Sequence, residues 1–163
     1  MPSIREQLKK LTNFSFGGTS AIITNMSIII GLGSVDIPKS AIVTSLLVIA
    51  IADNISDSLG IHIYRESESC GIRESFVSTA SNFLTRLFIS LVFILIIILL
   101  PILTAQLVSI IWGLLTLTVI SYLIAKKNQQ KPAVELIKHI GVAVLVIAAS
   151  KYVGTLIHSH FGK

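Results

Sequence analysis

The feature that most constrains this chain is a series of apolar stretches, each close to the length of a membrane span. The most apolar of them, LFISLVFILIIILL, covers residues 87–100 without a charged side chain. Crossing the hydrocarbon core of a bilayer takes about 20 predominantly apolar residues in a helix. A helix also satisfies its own backbone hydrogen bonds, which lipid cannot do. Stretches of this length and composition therefore predict transmembrane helices.

The composition excludes several other classes of protein. Only 13% of the 163 residues are charged, whereas soluble domains carry about 25%. So few charges leave too little polar surface for a soluble enzyme, a nucleic-acid-binding domain or a disordered chain. The net charge of +5 is explained by basic loops at a membrane, so we expect a lipid bilayer as partner and no nucleic acid.

Five spans are predicted, together with an amphipathic segment before the first. Residues 1–15 place apolar side chains at helical spacing among basic ones, which is typical of a helix on the cytoplasmic membrane surface. The sequence therefore predicts an all-α integral membrane protein with five transmembrane helices. The predicted spans cover residues 16–32, 40–64, 76–100, 103–125 and 134–158.

The basic residues predict the orientation of these spans. Ten of the 13 Lys and Arg residues fall at the ends or loops on one side, and Lys39, Lys151 and Lys163 fall on the other. Cytoplasmic loops carry the excess of Lys and Arg. We therefore expect a cytoplasmic N-terminus, a C-terminus outside or in a lumen, and residence in the plasma (inner) membrane rather than in a vacuolar membrane.

Two acidic residues, Asp53 and Asp57, fall within the apolar part of the second span. Their spacing of four places both carboxylates on one face of a helix. Ionised carboxylates are costly in lipid, so this face is expected to line protein or water and to be functional. Oxygen ligands suit a divalent cation, with His62 as a nitrogen ligand. Two neighbouring carboxylates also share protons readily, which favours proton-linked movement of the cation.

Several of these polar residues have a purely structural alternative. Arg86, near the start of the third span, is a counter-charge that would neutralise Asp57 and form an internal ion pair serving only packing. Thr24 and Asn25 in the first span either assist the carboxylates or form hydrogen bonds between helices. Glu66 begins an acidic segment that either concentrates cations at the entrance or is a solvated loop.

An enzymatic interpretation of the two aspartates was also considered. Membrane prenyl and phosphatidyl transferases use aspartate motifs to hold Mg²⁺ against a diphosphate, and Asp53 and Asp57 have a comparable spacing. The further motifs of those enzymes, an Asp-Gly and an Ala-Arg or a second acidic motif, do not occur in this sequence. We therefore expect that the protein is not an enzyme.

Three motifs make the chain similar to the vacuolar iron transporter family. In the first span, Thr24 and Gly31 are in register with the family pattern D-G-L-x-T-x-x-x-x-x-x-G-[LV]. In the second, matching Arg65 and Glu66 to the end of S-M-A-x-G-E-Y-x-S-x-x-S-Q-R-E places Asp57 at the family glutamate. The segment KYVGTLI loosely resembles the family's T-Y-x-I-G-x-L in the last span.

The chain also departs from the family pattern. The family's acidic residue on the first span falls at Ser20, and its pathway methionine falls at Asp53. The cytoplasmic metal-binding domain between the second and third spans is replaced by roughly ten residues. The chain thus resembles a short form of the family without that domain, with its carboxylates gathered on one helix.

The resemblance implies a function for the predicted site. It implies a homodimeric transporter that moves Fe²⁺ or Mn²⁺ out of the cytoplasm by proton antiport, with the metal as substrate and no permanently bound cofactor. The alternative is a non-transporting membrane subunit whose polar helix face binds partner helices. In the transporter, Asp53 and Asp57 carry both metal and protons. The residues assigned to metal are Asp53, Asp57, Asn25, Thr24, His62 and Glu66.

Overall fold

The chain folds into five long helices joined by short connections. The structure is a computed structural model that describes residues 4–35 and 37–162, with side chains described from residue 17 onward. No strand occurs within these described ranges. In chain order the helices are α1 (Ile4–Gly33), α2 (Lys39–Ser67), α3 (Ile72–Leu99), α4 (Ile102–Lys127) and α5 (Pro132–Phe161).

Four of these helices, α2 to α5, are long and apolar enough to cross a membrane. Helix α1 contributes a shorter apolar stretch, Gly17–Gly33. The expectation of an all-helical, multi-pass membrane protein is therefore confirmed in its coarse form. The count of five spans and the direction in which they cross stay predictions from the sequence.

The helices include four of the predicted spans completely, and α3 covers the third except for its last residue, Leu100. The backbone of the predicted interfacial segment, from Ile4 onward, continues into the first predicted span as one helix. The side chains that suggested an amphipathic surface in residues 1–15 lie outside the described residues, as does Lys163.

Proline marks the beginning of three helices. Pro38 and Pro101 directly precede α2 and α4, and Pro132 is the first residue of α5. Proline fixes its own φ near a helical value, and at a helix start its missing N–H costs no hydrogen bond. The apolar runs are therefore cut into separate helices where the sequence places these residues.

Helix α1 lies at the centre of the bundle and contacts the other four helices. Its side chains Ile22, Met26 and Ile29 are fully buried. Around it, α2 packs on α3, α3 on α4, and α4 on α5. Between α5 and α2 lies an open cleft of about 550 Å³, with part of α1 as its floor.

Two local contacts hold the ends of the helices together. A Cβ atom at Gly154 of α5 would lie 2.2 Å from the carbonyl oxygen of Gly31, so only a glycine allows α1 and α5 to approach this closely. At the same end of the bundle, Lys39 Nζ donates hydrogen bonds to the carbonyl oxygens of Ile98 and Leu100, at 2.8 and 2.9 Å. These bonds satisfy carbonyl groups that the end of α3 leaves without helical partners.

Candidate functional site

Three charged side chains meet between α2 and α3, about halfway along both helices. The guanidinium of Arg86 on α3 forms ion pairs with Asp53 through Nη2 and with Asp57 through Nη1. The two carboxylates are one helical turn apart on α2, so both face the same neighbour. Arginine suits this arrangement because its planar guanidinium presents several N–H donors in fixed directions. We call Asp53, Asp57 and Arg86 the charged cluster.

The members of the charged cluster differ strongly in burial. The side chain of Arg86 is only 4% exposed, whereas those of Asp53 and Asp57 are 41% and 35% exposed. The guanidinium therefore lies inside the bundle, and the carboxylates lie at its surface. With both carboxylates ionised the cluster has a net charge of one negative unit. Arg86 thus neutralises only part of the negative charge that α2 carries here.

Helix α1 packs closely against the buried side of the charged cluster. A Cβ atom at Gly17 would lie 2.4 Å from Asn82 Oδ1 and 3.2 Å from Arg86 Cγ. Asn82 is fully buried on α3, and its Nδ2 donates a 3.3 Å hydrogen bond to Ser58 Oγ of α2. The absence of a side chain at Gly17 thus leaves the space that Asn82 and Arg86 occupy.

The two predicted polar residues of α1, Asn25 and Thr24, differ in their burial. Asn25 is 1% exposed, and its Nδ2 donates to the carbonyl of Ala21 at 2.7 Å and to Ser90 Oγ at 2.9 Å. Its side chain therefore connects α1 with α3, which is the helix-packing alternative considered for it. Thr24 is half-buried on the neighbouring part of α1.

His62 and Glu66 form a second polar group further along α2. Their Nε2 and Oε1 atoms are 3.3 Å apart. Thr79 Oγ1 uses its hydrogen for the carbonyl of Ser75, at 2.8 Å, and lies 3.3 Å from His62 Nδ1. A carboxylate oxygen only accepts hydrogen bonds, so Nε2–H of His62 is the donor toward Glu66. His62 is five residues beyond Asp57, or about 7–8 Å along the helix axis.

The structure thus distributes the predicted metal ligands over separate places. Within the described part of the chain, no three His, Cys, Asp or Glu side chains come together as a metal-binding group. A cation at the charged cluster would meet carboxylate oxygens that already pair with a guanidinium, and would have to compete with it. The separate groups are Asp53 with Asp57, Asn25 with Ser90, and His62 with Glu66.

The exposed side of the carboxylates lies next to the cleft between α2 and α5. Ser45 and Ile49 of α2 line this cleft together with Ser27 and Gly31 of α1. Asp53 follows Ile49 by four residues, so it continues the same side of α2 by one turn. Asp53 and Asp57 therefore follow the cleft along α2, one and two turns beyond Ile49, and do not line it themselves.

Most residues on the α3 side of this site were not predicted from the sequence. Besides Arg86, the buried residues Ser78, Asn82 and Ser90 belong to it. A signal for them was present, because Ser78, Asn82, Arg86 and Ser90 recur every four positions along α3. That spacing predicts one shared helix face. It carries no information about which helix that face meets.

Comparison with family models, with curated proteins and with solved structures finds no match to this chain. The similarity to the vacuolar iron transporter family therefore rests on the motifs in the sequence alone.

Proposed function

We propose that this protein is a secondary transporter that moves a divalent cation, Fe²⁺ or Mn²⁺, out of the cytoplasm in exchange for protons. The observation that carries the proposal is the charged cluster. Two carboxylates on α2 face one guanidinium on α3, and both helices are long and apolar enough to cross a membrane. Ionisable groups in such a position are expensive in lipid and are functional by default. The choice of metal comes from the family resemblance.

The charges of the cluster suggest how the exchange would be balanced. Without cargo, two carboxylates and Arg86 carry one net negative charge. Binding of one divalent cation to the carboxylates changes the net charge of the cluster to one positive unit. Binding of two protons has the same effect. Exchange of one cation for two protons would leave the cluster with the same charge in both loaded states. During loading, the cation replaces Arg86 as the partner of the carboxylate oxygens, while the buried guanidinium stays in place.

A homodimer fits the exposure of the carboxylates. Asp53 and Asp57 keep 41% and 35% of their side-chain surface exposed in the single chain. If this surface faced lipid, the ionised form would be costly. A second copy over the cleft between α2 and α5 would cover the carboxylates and give the cation a route between protomers.

Transport by purified protein in proteoliposomes tests the proposal. Mn²⁺ and Fe²⁺ uptake is measured across an imposed pH gradient, with other divalent cations as a panel. We expect gradient-driven uptake by the wild type and its loss in the Asp53→Asn/Asp57→Asn double variant. Glu68→Gln is the matched control, because Glu68 follows the same helix and contacts Tyr64 and Arg65 at an exposed position. Equal uptake by the double variant and the wild type would contradict the site assignment.

The alternative, a non-transporting membrane subunit, has one observation in its favour. Arg86 already pairs with both carboxylates, so the cluster could serve to hold helices together and to present a polar face to a partner helix. Thermal unfolding with added cations separates the two functions. A ligand at 100 times its dissociation constant stabilises the native state by about 2.7 kcal/mol. No change with any divalent cation, together with a stoichiometric partner protein in the purified sample, would favour the subunit.

A further inference from the structure

A continuous buried polar face runs along the first two-thirds of α3. Its residues are separated by three or four positions, and each is at most 4% exposed. The same face becomes apolar further along, at Phe93 and Ile97, which are fully buried. We call the polar part the α3 seam. It consists of Ser75, Ser78, Asn82, Arg86 and Ser90.

Several atoms in and beside the α3 seam have no hydrogen-bond partner among the described residues. They include Asn82 Oδ1 and Arg86 Nε in the seam itself, and Asn54 Oδ1 on the facing helix α2. All three side chains are more than nine-tenths buried. An unsatisfied buried polar group costs about 1–3 kcal/mol, and native structures satisfy nearly all such groups with protein or ordered water. These atoms therefore call for a small polar ligand that both donates and accepts hydrogen bonds.

A groove between α2 and α3 leads to the seam. Its volume is about 530 Å³, and its lining is mostly apolar, with Ser58, His62 and Thr79 as the polar residues. Ser58 Oγ accepts the hydrogen bond from Asn82 Nδ2, so the wall of the groove is bonded directly to the α3 seam. Arg86 follows Asn82 by one helical turn. A polar connection thus extends from the groove through Ser58 and Asn82 to the charged cluster.

The seam is closed at its other end. Beyond Ser90, the α3 face packs into an apolar core that includes Met26 and Ile29 of α1 and Leu46 of α2, all fully buried. Among the described residues, the polar connection therefore opens toward the end of the bundle with the connection between α2 and α3.

We propose that water enters the bundle from the groove between α2 and α3 and reaches the charged cluster along the α3 seam. The ligand is water together with the protons it carries, and the route is distinct from the cleft between α2 and α5. This deepens the proposed function, because it supplies protons to Asp53 and Asp57 from inside the protomer. Hydration itself needs neither metal nor transport, so it can be measured separately from them.

Cysteine labelling tests this route in membranes. Cys70 is the only cysteine in the sequence, and Cys70→Ser gives a background without thiols. Into this background we introduce Ser58→Cys and Ser78→Cys, which are close in size to the native residues. Ala143→Cys is the control, because Ala143 is equally buried but belongs to the apolar core. Permeabilised vesicles are treated with N-ethylmaleimide, and the remaining thiols are counted after denaturation by a gel shift with a polymer-linked maleimide.

Labelling requires a thiolate, which forms in water and is suppressed in an apolar environment. Each unit by which burial raises the pKa of a thiol lowers its thiolate fraction about tenfold. We therefore expect both seam variants to react at least about tenfold faster than Ala143→Cys. Rates equal to that of Ala143→Cys would overturn the proposal.

A second pair of variants tests the direction of the route. Asn82→Leu places an apolar side chain between the groove and the far end of the seam. It should slow the labelling of Ser90→Cys and leave that of Ser58→Cys unchanged. An unchanged rate at Ser90→Cys would show that water does not reach it past Asn82. The melting temperature of each variant shows that the bundle is intact, and Mn²⁺ transport, measured in parallel, succeeds or fails independently of the labelling.

Discussion

Replacement of Arg86 by methionine tests the charged cluster most directly. Methionine keeps an unbranched apolar chain of similar reach and removes the guanidinium. The structure places that guanidinium inside the bundle, with a side-chain exposure of 4%, between two carboxylates on α2. Arg86→Met therefore leaves two acidic groups at this position without their counter-charge.

The expected loss of stability follows from the burial of the partners. Removing one member of a fully buried ion pair costs roughly 3–5 kcal/mol, because the other charge stays buried without compensation. Asp53 and Asp57 are about one-third to two-fifths exposed in the single chain, which reduces this cost. We expect Arg86→Met to lose about 2–3 kcal/mol. The triple variant with Asp53→Asn and Asp57→Asn should regain most of it, since no unpaired charge is left.

The assay is reversible unfolding of the purified protein in mixed detergent micelles, followed by helical circular dichroism. Asp53→Asn/Asp57→Asn is measured as well, because it leaves Arg86 buried and unpaired and should be at least as unstable as Arg86→Met. The single variants Asp53→Asn and Asp57→Asn keep one carboxylate partner for Arg86 and should lose less stability. Wild-type stability in Arg86→Met, or no recovery in the triple variant, would refute the reasoning that the cluster is held by charge compensation.

Three further substitutions test the packing around the site by the same unfolding assay. Gly17→Ala should cost about 1 kcal/mol, because its Cβ would displace the buried Asn82, whereas Gly141→Ala, with no atom within 4 Å, should be near neutral or slightly stabilising. Gly154→Ala should cost more, about 2–3 kcal/mol, because its Cβ would meet backbone that cannot move without separating α1 from α5. Lys39→Ala should cost about 1 kcal/mol through two lost hydrogen bonds to the end of α3. Equal stability of the Gly17→Ala and Gly141→Ala variants would contradict the close contact of α1 with the α3 seam.

Much of the architecture could be predicted from local features of the sequence. Apolar runs of membrane-span length predicted the membrane class and the order of the helices, and Pro38, Pro101 and Pro132 lie where the helices begin. These features work because hydrophobic length and proline geometry act within one segment of chain. The position of Asp53 and Asp57 on one helix face followed in the same way from their spacing.

The environment of the site could be predicted less well from the sequence. The sequence offered Asn25, His62 and Glu66 as ligands beside the aspartates, but the structure brings Asn25 to Ser90 and pairs His62 with Glu66. Spacing along a helix determines which residues share a face. It does not determine which residue of another helix lies opposite, because that depends on the axial shift and rotation of both helices.

By itself, then, the sequence determined a helical membrane protein with two carboxylates on one face of its second helix. Only the tertiary structure decided that a single buried arginine pairs with both of them, and that a polar seam on α3 leads to that arginine. The physical reason is the close approach of helices. Gly17 allows α1 to approach Asn82 and Arg86, and this contact is set by packing between segments that are more than 60 residues apart.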